Sequence, residues 1–84
     1  MTMQILQLKD FYRTADLALA AALSLFVPLE AVDKTDYRRA YFVFPHSEEL
    51  DELVAAFWRK ELKVEPQAYF DELRAIKTRL YAQN

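Results

Sequence analysis

The chain has 84 residues with no cysteine and no glycine, and its 11 Lys and Arg against 13 Asp and Glu give a formal net charge of −2. A chain this short forms one small core, and its 54 % hydrophobic content excludes disorder, so we predict a single α+β domain over residues 1–84. The missing cysteine excludes disulfides and thiolate metal sites, and the acidic balance provides no general attraction to nucleic acid.

The first predicted elements are a short strand and an apolar helix. Polar and apolar residues mix over residues 3–8, which allows a strand there. Thr14 places a hydroxyl where it can cap a helix, and Pro28 disfavours helix in the residue before it, so we predict a helix over residues 15–27. Residues 17–23 are all apolar, so this helix has no polar face and must be covered on more than one side, by this chain or by another.

A β-hairpin is predicted next. Two segments, residues 29–32 and residues 37–44, flank a polar cluster at residues 33–36 whose Asp side chains favour a turn. Alternation along the second segment puts one set of side chains on each face: Ala40, Phe42 and Phe44 against Arg39, Tyr41 and Val43. Both faces are rather apolar, so we expect helices on one face and other contacts on the opposite face.

Two further helices complete the predicted order, (β)αββαα, in which a hairpin or three-stranded antiparallel sheet packs against three helices. Pro45 ends the second hairpin strand, and Ser47 caps a helix whose buried stripe is Leu50, Leu53, Val54, Phe57 and Leu62. Pro66 suits the first position of the last helix, which we expect to run to about Tyr81. Its apolar line is Tyr69, Leu73, Ile76 and Leu80.

The sequence offers little material for catalysis or metal binding. His46 is the only histidine, and Ser24 and Ser47 have no visible base, because one lies in an apolar helix and the other is a helix cap. The acidic run at residues 48–52 suits a helix dipole, and its side chains point in different directions. We therefore predict no enzyme activity, no cofactor, no metal and no small-molecule substrate.

Basic and aromatic residues suggest a candidate interaction surface. Phe70, Arg74, Lys77 and Tyr81 form a second stripe on the last predicted helix, α3, over about residues 66–81. We call these four residues the α3 stripe. Rings and guanidinium groups can stack on unpaired bases. The alternative explanations for these residues are that the cations compensate the helix dipole and that the rings pack in the core. The candidate surface comprises Arg38, Arg39, Trp58, Arg59, Lys60, Phe70, Arg74, Lys77 and Tyr81.

A combination of segments links the chain to a known family. The segments are FYRTADLALAA at 11–21, YFVF at 41–44, Phe57-Trp58, VEPQAYF at 64–70 and LRAIKTRLY at 73–81. Over about residues 10–81 the chain resembles a family of short uncharacterised proteins from prokaryotes and their phages or mobile elements, classed as a domain of unknown function. The resemblance implies a small intracellular domain, in some members from a mobile-element context, and it brings no activity or catalytic residue to carry over.

These observations favour a non-catalytic protein-interaction module, an accessory or subunit of a phage or mobile-element system, with a protein partner or a homo-oligomer. The alternative is an accessory that binds RNA or single-stranded DNA through the α3 stripe. The first residues lack the basic and apolar pattern of a signal peptide. The most apolar stretch, residues 17–29, is shorter than the roughly 18 to 20 residues that span a bilayer. We therefore expect a cytoplasmic protein without membrane contact.

Overall fold

The computed structural model describes residues 10–82, which form three strands and three helices. The elements are β1 (Phe11–Thr14), α1 (Leu17–Ser24), β2 (Ala31–Asp33), β3 (Tyr41–Pro45), α2 (Glu48–Trp58) and α3 (Pro66–Tyr81). β3 is the central strand and pairs antiparallel with β1 on one side and with β2 on the other. The predicted α+β class and element order are confirmed, with three strands in the sheet.

The first strand lies later in the chain than the sequence indicated. β1 occupies Phe11–Thr14, a segment without a predicted element, whereas the strand predicted over residues 3–8 lies outside the described residues. The predicted helix over residues 15–27 is too long, because α1 is Leu17–Ser24. Asp16, and not Thr14, is the N-cap: its Oδ1 accepts a hydrogen bond from Leu19 N at 3.0 Å. Pairing with β3 keeps the chain extended through Thr14, so the helix begins later.

Helix α1 is the centre of the molecule. Five consecutive residues are buried in it: Leu19, Ala20, Ala21, Ala22 and Leu23. It packs against α3, α2 and β1. The hydrophobic core that contains its buried residues also contains Phe42 and Phe44 of β3. The alanine side chains are small, so these elements can pack closely against the helix. The chain itself therefore supplies the cover that the apolar sequence of α1 requires, and this helix needs no second chain.

The sheet has one face in the core and one face outside it. Phe42 and Phe44 share one face, as the alternation predicted, and the structure shows that this face is the buried one. Tyr12 and Val32 pack on the same core. The other face, which we call the outer sheet face, has none of its side chains in that core. It consists of Phe11, Arg13, Ala31, Asp33, Tyr41, Val43 and Pro45.

The hairpin loop is longer than predicted, because it spans residues 34–40 and the second strand begins at Tyr41, not at residue 37. The reason is a turn at residues 36–39. The carbonyl of Asp36 accepts a hydrogen bond from Arg39 N at 3.1 Å, and its carboxylate accepts one from Arg38 N at 2.9 Å. These bonds hold the backbone out of the ladder.

The last two helices begin where the sequence predicted. Ser47 Oγ accepts a hydrogen bond from Leu50 N at 3.0 Å, and Pro66 is the first residue of α3, where Glu65 is the N-cap. Leu50 and Ile76 are buried, and the other predicted core residues of these helices pack around them. Leu62 is the exception, because α2 ends at Trp58 and this residue follows the helix.

The C-terminus of α2 is closed by a residue in the left-handed conformation. Lys60 has φ 64°, with hydrogen bonds from Lys60 N to Phe57 O at 3.0 Å and from Glu61 N to Ala56 O at 2.8 Å. This is a Schellman motif, in which glycine is usual because it has no Cβ to clash with the backbone. The chain contains no glycine, so a lysine adopts this conformation at a cost.

We expect Lys60→Gly to raise the free energy of unfolding by about 0.5 to 1 kcal/mol, because relief of the left-handed strain exceeds the added entropy of the unfolded chain. Chemical denaturation measures this change. Lys60→Ala is the matched control, because it removes the charge and keeps the Cβ, and it should give no comparable gain. Equal stabilisation by both variants would show that the effect comes from charge and not from backbone strain.

Candidate functional site

The loop between β2 and β3 is ordered by its own polar side chains. Asp33 Oδ1 accepts hydrogen bonds from Thr35 Oγ1 at 2.6 Å and from Thr35 N at 2.9 Å. These two bonds, with a smaller contribution from the Arg13 guanidinium, lower the pKa of Asp33. Together with the turn at Asp36, they fix the backbone of the loop.

The loop meets the end of α3. Lys34 Nζ donates a hydrogen bond to Ala82 O at 3.0 Å, which ties the loop to the residue after the helix. An open cavity of about 260 Å³ lies between them, and Leu80 is on its wall. We call the basic and aromatic residues that line it the loop cluster: Lys34, Tyr37, Arg38, Arg39 and Tyr81.

An arginine joins all three strands on the outer sheet face. The Arg13 guanidinium carbon lies 4.1 Å from the centroid of the Tyr41 ring, and Arg13 Nη2 lies 3.6 Å from Asp33 Oδ2. Tyr41 also shares a cavity with Arg38 and Arg39, so the outer sheet face is continuous with the loop cluster. The apolar side chains beside Arg13 are Phe11, which is exposed, and Val43, which is half-buried.

The four residues of the α3 stripe are all exposed, as one face of a helix requires. Their surroundings differ. Arg74 Nη2 lies 2.7 Å from Asp71 Oδ1, and the Phe70 ring packs edge-on against Tyr69 with 5.9 Å between centroids. Only the last residue of the stripe, Tyr81, is in the loop cluster. The structure therefore joins Arg38 and Arg39 to the end of the stripe and not to its whole length.

Trp58, Arg59 and Lys60 form a separate group at the end of α2. The Trp58 ring is exposed and packs edge-on against Phe57 at 5.0 Å, and Arg59 Nε lies 2.9 Å from Glu61 Oε1. Among residues 10–82, no hydrogen bond, ion pair or ring contact joins this group to the loop cluster. A binding role for these residues stays a prediction.

The histidine lies at the opposite end of β3 from the loop cluster. His46 Nε2 lies 3.0 and 3.1 Å from the two carboxylate oxygens of Asp51. Nearby, burial raises the pKa of Tyr12, and the carboxylates of Asp16 and Asp51 raise it further. In the part of the chain that the structure describes, no group of three or more His, Asp or Glu could hold a metal ion.

Sequence reasoning missed two members of the loop cluster, Lys34 and Tyr37. The predicted hairpin places Lys34 in a short turn and Tyr37 at the start of a strand, and neither position indicates a binding role for the side chain. The available signal was the pair Asp33 and Asp36, each of which can hydrogen-bond backbone two residues further on. Recognition of two such turns would have predicted a longer loop with an exposed tyrosine.

The structure defines a small α+β domain, and comparison with known families identifies its family. Residues 9–82 match the family model described as Domain of unknown function (DUF5659), and the chain belongs to that family. No curated protein and no solved structure matches the chain. Within the described residues, no helix is both long enough and apolar enough to cross a membrane.

We expect Thr35→Ala to raise the pKa of Asp33 toward its ordinary value of 3.8, because the hydroxyl bond is the largest cause of the lowering. The backbone N–H of residue 35 remains, so part of the effect persists. In the parent protein, the stabilising effect of the Asp33 carboxylate is present above the ordinary pKa and is lost as pH falls through the lowered one.

Titration of the carboxyl carbon shift by NMR measures this pKa. Thr78→Ala is the control, because Thr78 bonds to Arg74 O on α3 and not to Asp33. An Asp33 pKa that is the same with and without the Thr35 hydroxyl would contradict this account of the loop.

Proposed function

We propose that the protein is a non-catalytic interaction module whose main partner is a different protein, bound at the outer sheet face. The supporting observation is that this face carries Phe11, which is 43 % exposed and paired with Pro45, and Val43, and that neither Phe11 nor Val43 belongs to the core formed with the helices. Aromatic side chains and arginine are enriched at the centres of protein interfaces.

The size of the outer sheet face favours a different protein over a second copy. Strands of four, three and five residues form the sheet. With about 3.4 Å per residue and about 4.8 Å between strands, the face covers roughly 200 Å². A stable complex buries about 800 Å² on each partner. Two copies that met only through this face would not form a stable dimer, whereas a larger partner can add contacts around it.

The chemistry of the face also indicates what the partner presents. Arg13 is held over the Tyr41 ring and near Asp33, and more than half of its side chain is still exposed. A partner segment with apolar side chains and one carboxylate or carbonyl opposite Arg13 would complement it. The proposal includes the cytoplasm as the compartment of the protein. It also includes a role as an accessory or subunit of a phage or mobile-element system, as the sequence resemblance implies.

The alternative from the sequence, nucleic-acid binding along the whole α3 stripe, has weaker support. Arg74 is already paired with Asp71, and Phe70 is next to that carboxylate in the chain. The Asp71 carboxylate therefore neutralises the positive charge in the first half of the stripe, Phe70 and Arg74.

We expect Phe11→Lys to reduce capture of the partner from a nuclease-treated lysate by about 10-fold or more, because it places a charge in an apolar contact. Phe26→Lys is the matched control: Phe26 is 44 % exposed and Phe11 is 43 % exposed, and Phe26 follows α1 in the chain and is not a residue of the sheet. Quantitative mass spectrometry of the captured proteins, at high salt, gives the measurement.

Three results would contradict the proposal. Captured protein that disappears on nuclease treatment would show that nucleic acid carries the association. Equal loss with both variants would show that the outer sheet face is not the contact. Recovery of this chain alone, with dimer-sized sedimentation, would assign the face to a second copy.

A further inference from the structure

Two tyrosine rings of the loop cluster stand almost free in solvent. Tyr37 is 92 % exposed and Tyr81 is 75 % exposed, whereas aromatic side chains are normally packed. Tyr37 stands on the ordered turn beside Arg38, whose guanidinium carbon lies 5.7 Å from the ring centroid. Both rings line the same cavity. Neither ring contributes to the core, so both rings are available to stack on a flat ligand.

The cations of the loop cluster are available to such a ligand. Within residues 10–82 the Arg39 guanidinium has no hydrogen bond or ion pair, and it lines three neighbouring cavities. Arg38 has one carboxylate near it, at 3.8 Å from Asp36 Oδ1, and that oxygen already accepts the Arg38 backbone N–H. A phosphate can therefore pair with either guanidinium group without breaking a short ion pair.

The charge of the molecule is divided between the two ends of β3. Lys34, Arg38 and Arg39 lie before Tyr41, at one end of the strand. The acidic first turn of α2, which contains Glu48, Glu49 and Asp51, follows its other end. Asp33, the last residue of β2, and Asp36 lie at the same end as the three cations, so this end carries a local excess of one positive charge, whereas the overall charge is −2. A phosphate is attracted to it only locally.

We propose that the loop cluster binds single-stranded nucleic acid, with bases stacked on Tyr37 and Tyr81 and phosphates bound by Arg38 and Arg39. Unpaired bases expose the flat faces that tyrosine rings and guanidinium planes require, whereas the bases of a duplex are already stacked on each other. An acidic protein segment would use the cations and leave the two rings unused. This inference is independent of the outer sheet face.

Fluorescence anisotropy with a labelled oligothymidine or oligouridine of about 15 nucleotides tests the proposal, with a duplex of the same length for comparison. We expect the single strand to bind more tightly than the duplex. We also expect log K to fall with log salt with a slope of about −1.4, as two phosphate contacts give on a single strand. Failure of the intact protein to bind the single strand at low salt overturns the proposal.

Two double variants separate stacking from charge. Arg38→Glu with Arg39→Glu should weaken binding about 10-fold or more and flatten the salt dependence. Tyr37→Ala with Tyr81→Ala should weaken it about 10-fold or more with the slope unchanged. All four side chains are exposed, so the variants should remain folded, and thermal melting checks this. Two results would overturn the stacking role of the tyrosines: the double tyrosine variant binds the single strand as tightly as the parent protein, or the parent protein binds the duplex as tightly as the single strand.

Two controls locate the site. Arg59→Glu with Lys60→Glu makes the same change in charge at the end of α2, and we expect less than about a twofold effect. Equal loss in this control would show general attraction to phosphate and overturn the proposal. Arg74→Glu with Lys77→Glu tests the α3 stripe, and a larger loss there than at the loop would move the site to the helix. Displacement of the oligonucleotide by polyglutamate, with no effect of the tyrosine variant, would assign the cluster to an acidic protein segment.

Discussion

The burial of five consecutive residues of α1, Leu19 to Leu23, is the constraint on which the rest of the structure depends. This run has no polar face, so it must be covered on every side. Helices α2 and α3 and the inner face of the sheet provide the cover. Three helices and one sheet face are thereby committed to the core of a very small protein. The outer sheet face and the loop that joins β2 to β3 are among the surfaces that stay outside this core.

Local sequence signals were sufficient to predict the parts of the fold that depend on residues close in the chain. Ser47 and Pro66 mark helix starts by hydrogen bonding and by backbone geometry, and the spacing of Leu50 and Ile76 with their neighbours marks the buried faces. The strand β1 could not be found in this way. It is four residues long and is defined by pairing with β3, about thirty residues further along the chain. Without that pairing, Thr14 resembles a helix cap.

The candidate site was predictable only in part, for a related reason. Arg38, Arg39 and Tyr81 stand out in the sequence as cations and rings. Their meeting depends on the loop length, which the local turn at Asp36 sets, and on one tertiary contact, the hydrogen bond from Lys34 Nζ to Ala82 O. The pair of aspartates signals the turn, whereas no sequence pattern encodes the tertiary contact. Trp58 appeared equivalent to the other rings in the sequence, and the fold places it in a different group at the end of α2.

Amide hydrogen exchange measured by NMR tests most directly the claim that this chain alone buries α1. The amides of residues 20–23 should exchange most slowly, at the rate of global unfolding, in a sample whose translational diffusion is that of a 9.9 kDa monomer. Rapid exchange of these amides in the monomer would contradict the account. Protection that appears only at concentrations where the chain diffuses as a dimer would contradict it equally.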